Sequence, residues 1–254
     1  MIALVTGASS GIGRDLAINL SKMGYDLVLV SRDEKNLKKV ANLCENKTEI
    51  CPLDLSKVEN CRKLFKMHDD VDILVNNAGF GTYGEFSTVN LETELNMIDL
   101  NIKAVHTLTK LYLTKMIEKN AGRILNVSSM AAFLPGPLMS TYYATKSYVF
   151  KLTTAVNEEL KQKKSKVKVS VLCPGPVDTN FNNVAQVKFS INPVSSDYVA
   201  KYTIDKMFKN KMVIVPGIKS KLGVLGCKIL PLRLLLKIDY NIQSRKEKND
   251  EKEK

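Results

Sequence analysis

Tyr142 and Lys146 stand four residues apart, and Ser129 precedes the tyrosine by thirteen. On a helix, a spacing of four returns a side chain to the same face, so a phenol and an ammonium can point together into one cleft. A free tyrosine titrates near 10 and moves protons poorly at neutral pH. An ammonium within ~4 Å, at an effective dielectric of about 20, contributes on the order of 4 kcal/mol. That energy lowers a phenol's pKa by about 3 at most. The expectation is a tyrosine-lysine pair that acts as acid and base near pH 7 without histidine. Tyr143 and Ser128 are competing neighbours. Only Tyr142 has the four-residue spacing to Lys146, and strand alternation sends Ser128 and Ser129 to opposite faces.

A second constellation lies at the N-terminus. Thr6-Gly7-Ala8-Ser9-Ser10-Gly11-Ile12-Gly13 follows the apolar run Ile2-Ala3-Leu4-Val5. Glycines here permit unusual backbone angles and let phosphate oxygens approach. The helix that follows offers free N–H groups and the positive end of its dipole. Gly7, Gly11 and Gly13 read as a pyrophosphate cradle, with Ser9, Ser10 and Ile12 beside the bound group. Glycines serving only a tight strand-helix turn are the plainer alternative.

Both constellations need a scaffold. Strand patterns fall at Ile2–Val5, Leu27–Val30, Glu49–Cys51, Ile73–Val75, Arg123–Val127, Val167–Leu172 and Val213–Val215. Amphipathic stretches near 11–23, 33–43, 56–67, 91–119, 141–163 and 196–208 separate them. This alternation predicts an α/β fold, a Rossmann-like doubly wound parallel sheet of about seven strands with helices on both faces. Right-handed crossovers then align the strand C-termini along one edge, where ligands bind. Both constellations sit at that edge.

The 254 residues suit one α/β domain. No leader pattern precedes the first strand, and no run of eighteen uncharged apolar residues is present. The cysteines at 44, 51, 61, 173 and 227 form no C-x-x-C pair. They read as reduced, packing thiols in a cytoplasmic protein, with no metal site. The net charge is +12, and residues 201–254 alone carry 14 basic and 6 acidic side chains. A basic C-terminal region suits an anionic membrane surface or an acidic partner, or is simply a solvated surface. Nothing points to nucleic acid.

Taken with Asn76-Asn77-Ala78-Gly79 and Pro174-Gly175-Pro176-Val177-Asp178-Thr179, these motifs resemble the short-chain dehydrogenase/reductase family in order and spacing. The resemblance spans residues 1–217, taken as the dinucleotide-binding catalytic domain. Beyond it, the chain looks like a branch with an extended C-terminus related to acyl and steroid reductases. The resemblance implies that Tyr142 gives a proton to a carbonyl oxygen while hydride arrives at carbon. It implies that Lys146 also holds the nicotinamide ribose and that Ser129 hydrogen-bonds the same oxygen. Asn101 matches a family asparagine that supports a water chain to the lysine; a buried asparagine satisfying backbone is the alternative. Asp54 and Leu55 should flank the adenine, with Asn76, Asn77, Ala78 and Gly79 on the adenosine side. Pro174, Gly175, Val177 and Thr179 should bind the nicotinamide carboxamide.

The second strand ends Val30-Ser31-Arg32. An acidic residue at its end would accept the ribose 2′-hydroxyl of NAD. Ser31 is uncharged, and the permanent charge of Arg32 can grip a 2′-phosphate, so NADP(H) is favoured. Asp33 stands one position on and could turn back toward the ribose. Met130–Met139 and the loop Asn180–Asn192, with Phe181 and Phe189, are apolar enough to suit a hydrophobic substrate.

Residues 218–244 form an apolar, basic extension, and 245–254 read as a disordered charged tail. Residues 222–238 could lie in a membrane interface, cover the cleft or make a dimer contact. The expected protein is an NADP(H)-dependent reductase of an apolar ketone or aldehyde, such as a 3-oxoacyl lipid or steroid-like ketone, acting as a homodimer or homotetramer. A nucleotide-sensing scaffold is the rival, and the intact Ser129, Tyr142 and Lys146 speak against it.

Overall fold

Short, nearly continuous apolar runs build the centre of the molecule. In the computed structural model, which describes residues 1–179, 181 and 193–251 with side chains through 244, β1 (Ile2–Thr6) sits mid-sheet. It is flanked by β2 (Asp26–Ser31) and β3 (Thr48–Pro52) on one side. On the other side lie β4 (Ile73–Asn76), β5 (Arg123–Val127), β6 (Lys168–Leu172) and β9 (Val213–Ile214). The order is β3-β2-β1-β4-β5-β6-β9, and every pairing is parallel. The winding direction reverses between β1 and β4, which opens a crevice at their C-terminal ends.

Alternate residues of each strand feed two cores. Ala3, Val5, Leu27, Leu29, Ile73 and Val75 face one side. There they meet α1 (Gly11–Lys22), α2 (Glu34–Ala41) and α7 (Ser196–Phe208). Leu4, Val28, Val30, Leu74 and Ile124 face the other. There they meet α3 (Val58–Met67), α5 (Val105–Lys119) and α6 (Ser140–Gln162). Two-sided burial is why these strands read as nearly continuous apolar runs.

The stretch expected as one helix over 91–119 is interrupted. α4 (Leu91–Ile98) passes into a π-helical turn over Asp99–Ala104 before α5 resumes. Such a turn widens the helix by one residue and often marks a functional position; here it holds Asn101. A two-residue strand pair, β7 (Val177–Asp178) with β8 (Val194–Ser195), lies outside the main sheet. The C-terminal extension folds as α8 (Ile218–Ile229) and α9 (Leu232–Glu251), broken at Pro231. The backbone of α9 continues to Glu251, through most of the segment expected to be disordered; its lysines, arginine and glutamates are good helix formers. Of the expected lid loop, Asn180 and residues 182–192, Phe189 included, lie outside the described residues.

Candidate active site

The glycine turn is held from β4. Thr6 Oγ1 accepts the backbone N–H groups of Asn77 (2.9 Å) and Ala78 (3.0 Å) and donates to the Val75 carbonyl. The Asn77 amide donates to the carbonyls of Thr6 and Gly7, each at 3.1 Å. Asn77 thus braces the turn as well as lining the crevice. Gly7 and Gly11 adopt φ of 64° and 54°, the left-handed region that favours glycine. A Cβ on Gly13 would sit 2.3 Å from the Gly7 carbonyl oxygen, so this glycine closes the turn and does not line the crevice. The first backbone bond of α1 runs from the Arg14 N–H to the Ser10 carbonyl. The amides before it are directed at the crevice, where a phosphate would fit.

One cavity of about 910 Å³ runs along the strand C-termini. At one end it is lined by Ser9, Ser10, Gly11 and Ile12 of the turn and by Ser31 and Arg32. Asp54, Leu55 and Ala78 line it too, and so does Gly79, which adjoins Lys146. The same cavity is lined by Ser129, Tyr142 and Lys146 and by Pro174, Gly175, Val177 and Thr179; a Cβ on Gly11 would meet Thr179 Cγ2 at 2.9 Å, so Thr179 reaches the glycine turn. Asn76 is the exception to the expected adenosine wall. It is buried, and its amide donates to Asn126 Oδ1 (2.9 Å) and Thr109 Oγ1 (3.1 Å).

Ser31 Oγ donates to Ser9 Oγ at 2.9 Å, joining the end of β2 to the glycine turn. Asp33 is committed elsewhere. It caps α2, accepting the Asn36 N–H (3.0 Å) and the Asn36 amide (2.6 Å). Those bonds hold its carboxyl below the usual carboxylate range. Arg32 is exposed and makes no ion pair among the described residues.

Tyr142 and Lys146 lie one turn apart on α6, both buried. The Lys146 ammonium is 5.8 Å from the Tyr142 ring centre and donates to the Val127 carbonyl at 3.0 Å. Ser129 lines the same cavity, exerts a small downward pull on the Tyr142 phenol's pKa, and accepts the Ala131 N–H at 3.1 Å. Ser128 turns the other way and donates to the Lys146 carbonyl at 2.7 Å. The expected lowering of the phenol's pKa is not what this geometry produces. Burial pushes Tyr142 up to about 12, against a smaller opposing pull from Ser129. Burial also brings Lys146 down to about 8. The cation stands beside the ring and bonds backbone, so desolvation of both groups outweighs their attraction. The tyrosine is therefore a held proton donor at neutral pH.

Asn101 is fully buried in the π turn. Its amide donates to the Phe80 carbonyl (2.9 Å) and Thr145 Oγ1 (3.1 Å), and its Oδ1 accepts the Phe80 N–H (3.1 Å). It fixes the backbone opposite Lys146 instead of lining the cavity. A Cβ on Gly79 would meet Asn101 Oδ1 at 2.8 Å and Lys146 Nζ at 3.4 Å, so the two groups flank the same glycine.

Of the roles open to residues 222–238, cleft cover is realised, although the sequence did not say which residues would line the wall. Gly226, Cys227 and Leu230 of α8 and its following turn, with Leu235, Ile238 and Gln243 of α9, line the cavity. Tyr143, set aside as the wrong-spaced tyrosine, accepts a 2.6 Å bond from the Gln243 amide. Tyr83 donates to the Gln243 carbonyl at 3.0 Å. Gly81 was also missed; a Cβ there would lie 3.0 Å from both Tyr142 and Phe181. No local pattern marks these residues, because they meet only through tertiary contacts. Away from the cavity, Cys51 Sγ lies 3.5 Å from His68 Nε2, itself 3.3 Å from Glu49 Oε1. These three could offer ligand atoms, a grouping that the sequence reading, with no metal site, did not include. Burial and the nearby carboxylate raise the thiol to about 11, so it is protonated, which does not favour a metal.

A doubly wound sheet, a glycine cradle and a serine-tyrosine-lysine set in one cavity define a nucleotide-dependent oxidoreductase. Residues 1–188 match the short chain dehydrogenase family model, and the chain belongs to that family. An uncharacterized oxidoreductase of Staphylococcus epidermidis is 34% identical over 182 residues, covering 70% of this chain and 78% of that relative. A short-chain dehydrogenase from Sphingobium yanoikuyae in complex with NADPH has a TM-score of 0.80 and 26% identity, over 88% of this chain and 91% of that one. A Burkholderia phymatum short-chain dehydrogenase/reductase in complex with NAD has the same TM-score and coverage at 23% identity, a likeness of fold. The protein is an NAD(P)-dependent oxidoreductase.

Proposed function

We propose that this enzyme reduces a ketone or aldehyde on an apolar molecule, a 3-oxoacyl lipid or a steroid-like ketone, using NADP(H), and oxidises the matching alcohol in reverse. The reading rests above all on Ser129, Tyr142 and Lys146 converging in the cavity that also holds the glycine turn. The nicotinamide cofactor supplies hydride to the carbonyl carbon. Tyr142, whose proton is held to about pH 12, donates to the carbonyl oxygen. The Ser129 hydroxyl bonds that same oxygen and orients it. Lys146, charged below about pH 8, stabilises the phenolate left behind.

NADP(H) is favoured by the chemistry at the end of β2. Arg32 is available to a 2′-phosphate, and the carboxylate next to it in the chain, Asp33, is occupied as a helix cap. The apolar substrate follows from Leu134, Met139, Phe181, Leu230 and Leu235 around the catalytic end. All five cysteines are free thiols, which suits a reducing, cytoplasmic compartment.

The test is NADPH oxidation against a panel of medium-chain 3-oxoacyl esters and steroid ketones. Tyr142→Phe should keep NADPH binding and lose at least a hundredfold in kcat. Turnover that survives this change would remove Tyr142 from its role.

A further inference from the structure

Helix α8 is built inside out. Its inward face carries small side chains: Ser220 Oγ approaches Gly175, and Gly223 lies against Met130. Its outward face carries Ile218, Leu222, Leu225 and Ile229, exposed by 76, 62, 53 and 71%. Spacings of four, three and four place these side chains within an arc of about 60°. A helix that packs on a core would turn such a stripe inward.

Cations flank the stripe. Lys219, Lys221 and Lys228 of α8 are exposed, as are Arg233 and Lys237 at the start of α9. Between residues 218 and 244 the single acidic side chain is Asp239, which is buried. The surface therefore presents apolar groups and positive charge with no exposed carboxylate. The stripe is continuous with the cavity mouth: Leu230, Ile238 and Ile242 are partly exposed and also line the cavity.

We propose that α8 and the start of α9 dock the enzyme on an anionic lipid surface and open its cavity toward that surface. Leucine and isoleucine enter the acyl boundary, while the flanking lysines reach the headgroup phosphates. No helix among the described residues is long and apolar enough to cross a membrane, so contact is peripheral. Charge selects this occupant over a second copy. A two-fold contact through this face would set each copy's five cations against the same five on its partner. Vesicle binding by this face needs neither cofactor nor substrate, so it does not depend on the catalytic reading.

Full-length protein is sedimented with phosphatidylcholine vesicles, with and without phosphatidylglycerol. At low salt, binding should be at least tenfold tighter with phosphatidylglycerol and should weaken as salt rises. The triple variant Leu222→Ser, Leu225→Ser, Ile229→Ser should lose that binding by tenfold or more. None of the three lines the cavity, so NADPH binding and thermal stability should stay at wild-type values. A second variant, Lys219→Glu with Lys228→Glu, should abolish the preference for phosphatidylglycerol. Absence of wild-type binding to phosphatidylglycerol vesicles overturns the proposal, as does a serine variant that binds equally well. A dimer split by the serine substitutions, without vesicle binding, assigns the face to a second copy and likewise overturns it.

Discussion

The Gln243 amide donates to the Tyr143 phenol oxygen across 2.6 Å, tying the last helix to the residue beside the proton donor. Tyr142 and Tyr143 meet edge to face at 6.1 Å, so displacement of one ring is felt by the other. The C-terminal extension is thus part of the catalytic end of the cavity. Gln243→Leu removes the donor to a partly buried phenol, at a cost of about 1 kcal/mol. We expect a raised KM for apolar carbonyl substrates, faster amide exchange in residues 232–244, and an unchanged Kd for NADPH. An unchanged KM alongside faster exchange would make the bond structural only.

Lys146 gives a pH dependence with a definite sign. Its ammonium is brought from 10.5 down to about 8 by burial. Between those values the unfolded chain binds more protons than the native one, so this group makes stability rise with pH from about 8 to about 10.5. Below about 8 its buried charge opposes folding by at most about 3 kcal/mol. Lys146→Met should therefore stabilise the cofactor-free enzyme at pH 7 while removing turnover. The gap between variant and wild type should close by pH 10.5. Denaturant titrations of both proteins across this range check it; a gap independent of pH would refute the cause. Tyr142 acts oppositely, since a pKa raised to about 12 makes stability fall as pH climbs above 10.

Cofactor choice turns on Arg32. Charge-assisted bonds to a 2′-phosphate at an exposed position are worth on the order of tenfold in affinity. Arg32→Ala should raise KM for NADPH about tenfold and leave NADH nearly unchanged. Adding Ser31→Asp should reverse the preference, because a carboxylate there accepts the 2′-hydroxyl of NAD and repels a phosphate. Equal losses for both cofactors would show that Arg32 supports the loop and not the phosphate.

Much of this site is written locally. The i, i+4 relation of Tyr142 and Lys146 is a property of any helix, and Arg123–Val127 appears as a strand with the same bounds that its apolar run suggests. Strand alternation also separated Ser129 from Ser128. What stayed hidden depends on burial and partners. The direction of the Tyr142 pKa follows from desolvation, which no spacing reveals. The π turn around Asn101 changes hydrogen-bond register without breaking the apolar pattern of 91–119. Asn76 and Asn77 are adjacent, yet one enters a buried amide-hydroxyl chain and the other braces the glycine turn. The extension left lid, dimer contact and membrane helix all open, with lid or dimer contact ahead; its inward and outward faces became distinguishable only once Gly223 and Leu222 had neighbours and solvent.

Gly81 offers the sharpest steric test of the catalytic geometry. A Cβ there would stand 3.0 Å from Tyr142 Cδ2 and 3.0 Å from Phe181 Cζ. Both contacts are tighter than ordinary van der Waals separation, so the tyrosine ring must move by a few tenths of an ångström. Tyr142 is buried and packs against Phe181, 5.3 Å between ring centres, so it has little room to comply. A displacement of about 1 Å at a reacting group can cost on the order of a hundredfold in rate. We expect Gly81→Ala to lower kcat by about tenfold while NADPH binding and melting temperature stay near wild type, because Gly81 lies outside the glycine cradle. Stopped-flow measurement of hydride transfer separates this from slow product release. A variant with an unaltered chemical step would mean that Phe181 yields instead of Tyr142.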